Sequence, residues 1–197
     1  MSVPPAPPIL LASTSPQRRA ILAQLGIPFD VVPPRYVERE DLEAKPEDLV
    51  RLHALGKARS VAGEADDRSV LGVDTTVVCG DHVFGKPTGP EEAVEMLEAL
   101  AGKTHEVVSG LCLVTPGWEL VEHAVTRVGF RELTARDLAA YVEVGEWEGR
   151  AGAYAIQGVG ASLVDRIEGD YLNVVGLPAS LLVGILAERF PGVYGFG

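Results

Sequence analysis

Residues 69–78, SVLGVDTTVV, place an aspartate inside a strongly apolar, β-branched run. A run of that composition reads as a central strand buried in a sheet. Asp74 therefore constrains everything around it. A carboxylate in or at the end of a buried strand costs several kcal/mol unless it is paired or holds a metal. It is either a satisfied structural aspartate or a general base or metal ligand.

The flanking sequence alternates strand and helix signals. ILLA at 9–12 reads as a short buried strand, and Ser15 and Pro16 as the cap and first position of a helix that stops at Gly26. FDVVPP reads as a strand, and Pro46 to Ala62 as a helix with acids at its start. A turn at Gly80-Asp81 predicts a hairpin between the central run and HVFGKP. Further helices are expected at about Pro90 to Ala101, after a Thr134/Asp137 relative of the capping box, and at about Pro178 to Phe190. Two longer strands flank Pro116-Gly117, and one more is expected near ASLVDRI. Strands alternate with helices early and form hairpins later, which predicts an α/β fold with a mixed sheet. The 197 residues fit one domain, 1–197, with two lobes.

The helix start at 16–19 raises a question of sign. Arg18 and Arg19 stand at the positive end of the helix dipole, where cations are mildly unfavourable. Ser13, Thr14 and Ser15 add hydroxyls to the free N–H groups of that end, a ready anion site. Either both arginines point to solvent, or a bound phosphate reverses the sign. A formal charge of −11 argues against non-specific nucleic-acid binding and an anionic membrane surface. It leaves room for a small anionic ligand, because charges are screened beyond roughly 8 Å at physiological salt.

Four lysines stand against thirteen arginines, so a retained lysine hints at a role for a compact ammonium. Lys86 is fixed between Gly85 and Pro87, while Lys57 is expected on the outwardly polar part of its helix. Gln157 is flanked by glycine in a loop that lets backbone approach a ligand, or is a polar loop tip. The histidines lack metal-ligand spacing, and phosphate-loop, dinucleotide and nucleophile-elbow motifs are missing. Cys79 and Cys112 read as small buried hydrophobes in a reducing compartment, and MSVPPAPP as neither signal peptide nor membrane span. The expected location is cytoplasmic.

Taken together, LLASTSPQRRAIL, GVDTTVV, a GKP whose Lys86 falls twelve residues after Asp74, LAGKTHEVVSG, AGAYAIQG and IEGDYLNVVGLP occur in one order from about Ile9 to Pro178. That series resembles the Maf family of nucleotide pyrophosphatases. The resemblance implies an elongated mixed β-sheet with flanking helices and a central cleft, akin to inosine triphosphate pyrophosphatases. It implies hydrolysis of a nucleoside triphosphate to monophosphate and pyrophosphate with a divalent cation, Mg²⁺, Mn²⁺ or Co²⁺. It also implies a homodimer. Asp74 matches the family's proton acceptor, and Ser13, Arg18, Lys57 and Lys86 match residues lining the phosphate cleft. Glu38 or Glu40 matches an acidic cleft residue, so Glu38 and Asp74 are the candidate metal ligands.

Thr75 and Gln157 side with the dTTP/UTP type, and a neutral Gln157 offers both donor and acceptor to a pyrimidine edge. Gln17 stands where the family usually has arginine, at a position linked to substrate choice. Arg150 replaces the lysine often found before AGAY. Two alternatives stay open: the same chemistry on 7-methyl-GTP or another non-standard nucleotide, and a nucleotide-binding regulator of septum formation.

Overall fold

A computed structural model describes residues 6–38 and 44–197. Its elements follow the predicted alternation. β1 (Ile9–Ala12), α1 (Pro16–Gln24), β2 (Phe29–Val32) and α2 (Pro46–Arg59) lead into β3 (Val70–Cys79) and β4 (His82–Phe84). Then come α3 (Pro90–Leu100), β5 (Thr104–Val114), β6 (Glu119–Phe130), α4 (Ala135–Val144), β7 (Val164–Glu168), α5 (Tyr171–Val175) and α6 (Ala179–Arg189). Among the described residues, seven strands form one sheet in the order β2-β1-β3-β5-β6-β7, with β4 on β3. β1 runs parallel to β2 and β3, whereas β3–β4 and β6–β7 are antiparallel. The sheet is mixed, as the alternation predicts. No described helix is long and apolar enough to cross a membrane.

The chain divides into two compact units. The first comprises Met1–Asp74, Ser109–Ala124 and Gly176–Gly197. Its core includes Leu10, Ala12, Ala54, Ala58, Val70 and Cys112. Here α2 lies against glycines rather than side chains. A Cβ at Gly72 would overlap the Ala54 carbonyl, and one at Gly110 would overlap the Val50 carbonyl. The two glycines let the helix backbone approach β3 and β5. Strand residues alternate faces, so Asp74 shares the Gly72 face on which α2 lies.

The second unit comprises Thr75–Val108 and Val125–Val175. Its core gathers Val77, Leu97, Leu100, Val107, Val128, Phe130, Tyr141 and Tyr154. Residues 80–81 turn the β3–β4 hairpin, pairing Cys79 with His82, and Gly80 supplies the positive φ of 60° that the turn needs. Thr134 and Asp137 complete a reciprocal capping box, stronger than the relative expected.

Two boundaries differ from expectation. α2 ends at Arg59 because Val61 leaves the helical region (φ −124°, ψ 1°) and its N–H bonds to the nearer Ala58 carbonyl, and a separate 3₁₀ turn forms at Ala62–Glu64. The strand expected near 161–167 begins at Val164, since Gly158–Leu163 form a 3₁₀ turn. Cys112 is buried, and the apolar surroundings push its thiol up to about 12. Cys79 is half-buried and also unoxidised.

Candidate active site

α2 crosses the Gly72 face of β3, and this brings Lys57 to Asp74. The Lys57 ammonium donates to Asp74 Oδ1 at 2.6 Å, and both residues are only 8% exposed. Lys57 was expected on the outer, polar part of its helix, and the structure corrects that. The close approach over Gly72 turns the position inward, and the buried carboxylate gives the ammonium a partner. Glu38, exposed in the segment after β2, places Oε1 2.6 Å from the same Nζ. One ammonium thus bridges two carboxylates, and the burial of Asp74 is compensated.

Tyr36 anchors the segment that carries Glu38. Its hydroxyl lies 3.0 Å from His53 Nδ1, and its ring stands over Gly56, where a Cβ would overlap it. The sequence reading missed this seat. A glycine one position before Lys57 on a predicted helix, with a tyrosine two before Glu38, was the available signal.

The start of α1 supplies the next cation. Ser15 caps the helix, accepting from the Arg18 N–H at 3.5 Å, and its hydroxyl donates to the Gln17 side-chain carbonyl at 3.1 Å. The Arg18 guanidinium turns back over the cap. Nε donates to the Gly176 carbonyl at 2.9 Å and Nη1 to the buried Ser13 hydroxyl at 3.2 Å. Burial lowers the Arg18 pKa, and the negative charges of Asp74 and then Glu38 raise it again. Arg18 therefore shares the field of both carboxylates. Arg19 is exposed.

Ser13, Gln17, Arg18, Glu38, Lys57 and Asp74 all belong to the first unit. Thr75, Lys86 and Gln157 belong to the second. Thr75 is half-buried, while Lys86 and Gln157 are exposed. Glu40 lies outside the described residues.

Asp74 and Glu38 offer hard oxygen donors aimed at one cationic point. Among the described residues, no group of three or more histidine, cysteine, aspartate or glutamate side chains is placed to hold a metal ion. Two carboxylates of this kind fit a hard divalent ion that takes one or two protein oxygens and completes its shell with water and phosphate.

Fold and cluster are those of a mixed α/β protein whose cations and carboxylates meet on an interior strand. Residues 8–189 match the model of the Maf-like protein family, and the chain belongs to that family. It is 49% identical over 181 residues to the dTTP/UTP pyrophosphatase of Gloeobacter violaceus, covering 91% of this chain and 95% of the relative. It is likewise 49% identical over 189 residues to the dTTP/UTP pyrophosphatase of Moorella thermoacetica, covering 95% and 97%. The Aquifex aeolicus dTTP/UTP pyrophosphatase is 44% identical over 180 residues, covering 91% and 94%. Among solved structures, the Staphylococcus aureus Ham1 protein aligns over 80% of each chain at 15% identity, with a TM-score of 0.46.

Proposed function

We propose that this chain is a nucleoside triphosphate pyrophosphatase that hydrolyses dTTP and UTP to the monophosphate and pyrophosphate. The carrying observation is the Lys57 ammonium shared by Asp74 and Glu38, in a chain 49% identical to two relatives named for that activity.

The chemistry follows from the charges. Arg18 and Lys57 bind the phosphates, with the Ser13 hydroxyl beside Arg18, and the family resemblance adds Lys86 to that role. Each charge-assisted hydrogen bond contributes roughly 1.5–3 kcal/mol. This answers the sign problem of the helix start, because an anion makes Arg18 favourable there. Asp74 accepts a proton from the water that attacks the α-phosphorus. The new bond joins the water oxygen to that phosphorus, the α–β anhydride bond breaks, and pyrophosphate leaves. Lys57 keeps the Asp74 carboxylate oriented and compensated until the proton arrives. A divalent cation, Mg²⁺, Mn²⁺ or Co²⁺, would be held by the carboxylate oxygens of Asp74 and Glu38 that Lys57 does not engage, and would supply charge neutralisation for the phosphoryl group.

Thr75 and Gln157 support the pyrimidine preference, Gln157 through a side chain that is exposed and carries both donor and acceptor. Gln17, bonded to the cap hydroxyl of Ser15, stands where the family usually has arginine, and on this ground 7-methyl-GTP remains the competing substrate. The same reading carries a homodimer, as the family resemblance implies, and a cytoplasmic setting, supported by two free cysteines.

The test is pyrophosphate release with dTTP, UTP, 7-methyl-GTP, dITP and ATP, with Mg²⁺ or Mn²⁺ and with chelator. Metal-dependent release favouring dTTP and UTP is expected. Preference for 7-methyl-GTP would move the assignment to the second substrate class. Binding without release would move it to a nucleotide-binding regulator.

A further inference from the structure

The loop that carries Gln157 is held from α4 on both sides. Before Gln157, the Ala155 N–H donates to the Tyr141 hydroxyl at 3.0 Å, and Tyr141 is buried on α4. After it, the N–H groups of Val159 and Gly160 donate to the two carboxylate oxygens of Glu146, each at 3.0 Å. Glu146 follows directly on the left-handed Gly145 that ends α4 (φ 77°), so the helix terminus aims it.

The glycines of the loop fit this grip. Gly158 has φ 69°, and a Cβ there would overlap Glu146 Oε1. A Cβ at Gly160 would overlap the Ala155 carbonyl and come 3.2 Å from the Tyr141 hydroxyl. Gln157 itself is extended, with φ −81° and ψ 155°. Its side chain is exposed and has no hydrogen-bond partner among the described residues. The backbone at 155–160 is thus pinned at three N–H groups while the carboxamide between them stays available. A side chain that reads a base edge needs this combination. Donor and acceptor must be presented in a fixed place, and the head group must not be consumed internally.

We infer that Glu146 is a positioning residue for base selection: its two-oxygen grip on Val159 and Gly160 fixes where the Gln157 carboxamide meets the nucleobase. The inference rests on the reading that Gln157 contacts the base, and it assigns Glu146 no contact with substrate.

The experiment is a double-mutant cycle read as kcat and KM for dTTP, UTP, dCTP and 7-methyl-GTP. The variants are Glu146→Ala, Glu146→Gln, Gln157→Ala and the Glu146→Ala/Gln157→Ala pair, each checked for its folded circular-dichroism spectrum. Glu146→Ala is expected to lower the dTTP-over-dCTP preference about tenfold, mainly through KM, with kcat changed less than about twofold. Glu146→Gln keeps one acceptor and falls between. On the Gln157→Ala background, Glu146→Ala should add under about twofold, because two residues acting as one unit are not additive. Should Glu146→Ala fail to fold, the Glu146→Gln preference alone decides.

The two layers fail separately. If Gln157→Ala leaves base preference intact, the base-reading role of Gln157 is wrong and the inference falls with it. If Gln157→Ala relaxes preference while the Glu146 variants do not, or the two effects multiply independently, the positioning role alone is overturned.

Discussion

Lys57 Nζ and Asp74 Oδ1 stand 2.6 Å apart with their side chains 10% and 11% exposed, an ion pair closed off from most solvent. Such a pair is expensive to break from one side, because the remaining charge stays buried. Lys57→Met is expected to destabilise the fold by about 3–5 kcal/mol, and adding Asp74→Leu should recover part of that loss. Urea denaturation of the two variants checks it. A single-variant cost below about 1 kcal/mol would mean that the site is wetter than its burial implies.

Asp74→Asn keeps the shape and removes the proton acceptor. If Asp74 is the general base, kcat for dTTP should fall by roughly 10²–10⁴ while the protein remains folded. Unchanged turnover would transfer that role to another group.

Gly56→Ala sets two effects against each other. Alanine gains about 1 kcal/mol of helix propensity over glycine, but its Cβ would overlap the Tyr36 ring. Overpacking costs typically 1–3 kcal/mol, so the clash is expected to win. If Glu38 holds the metal, displacing Tyr36 should also raise the metal concentration needed for half-maximal activity. Adding Tyr36→Ala removes the obstacle, so the double variant should be less destabilised than the two single costs combined. Strict additivity would show that Tyr36 is not seated on Gly56.

His105 makes a pH prediction. It is 1% exposed, its Nε2 lies 2.8 Å from the Tyr154 hydroxyl, and its Nδ1 has no partner. Burial lowers its pKa from 6.5 to about 4. Because the folded value is the lower one, the unfolded chain takes up the proton first as pH falls. Stability from this group is full above pH 6.5 and is lost between about 6.5 and 4, amounting to about 3 kcal/mol. The unfolding free energy of His105→Gln should fall less than that of the wild type between pH 7 and 4.5. Parallel pH curves would show that His105 titrates normally.

Local sequence carried much of the fold. Ser15-Pro16 opens α1, Gly80-Asp81 turns the hairpin, and Thr134 with Asp137 caps α4, all through contacts within four residues. Such signals survive in sequence because caps and turns depend on neighbours along the chain. The residues of the candidate site were legible by resemblance, yet their arrangement was not. Lys57 reads as solvated on helical periodicity alone. The missing fact was that Gly72 admits the α2 backbone to the face bearing Asp74. Tyr36 over Gly56, and Glu146 beneath Val159 and Gly160, also join residues more than ten positions apart.

By itself the sequence determined the mixed α/β class, the interior strand with its aspartate, and the boundaries of the longer helices to within a few residues, while the short α5 (Tyr171–Val175) went unread. Periodicity, caps and turn chemistry act over short spans and compete with little else. Only the tertiary structure decided that one ammonium joins Asp74 to Glu38, and that Arg18 reaches back to Ser13 and Gly176. Those contacts depend on how closely a helix can lie on a strand and where a distant carbonyl ends up, distances that no local pattern encodes.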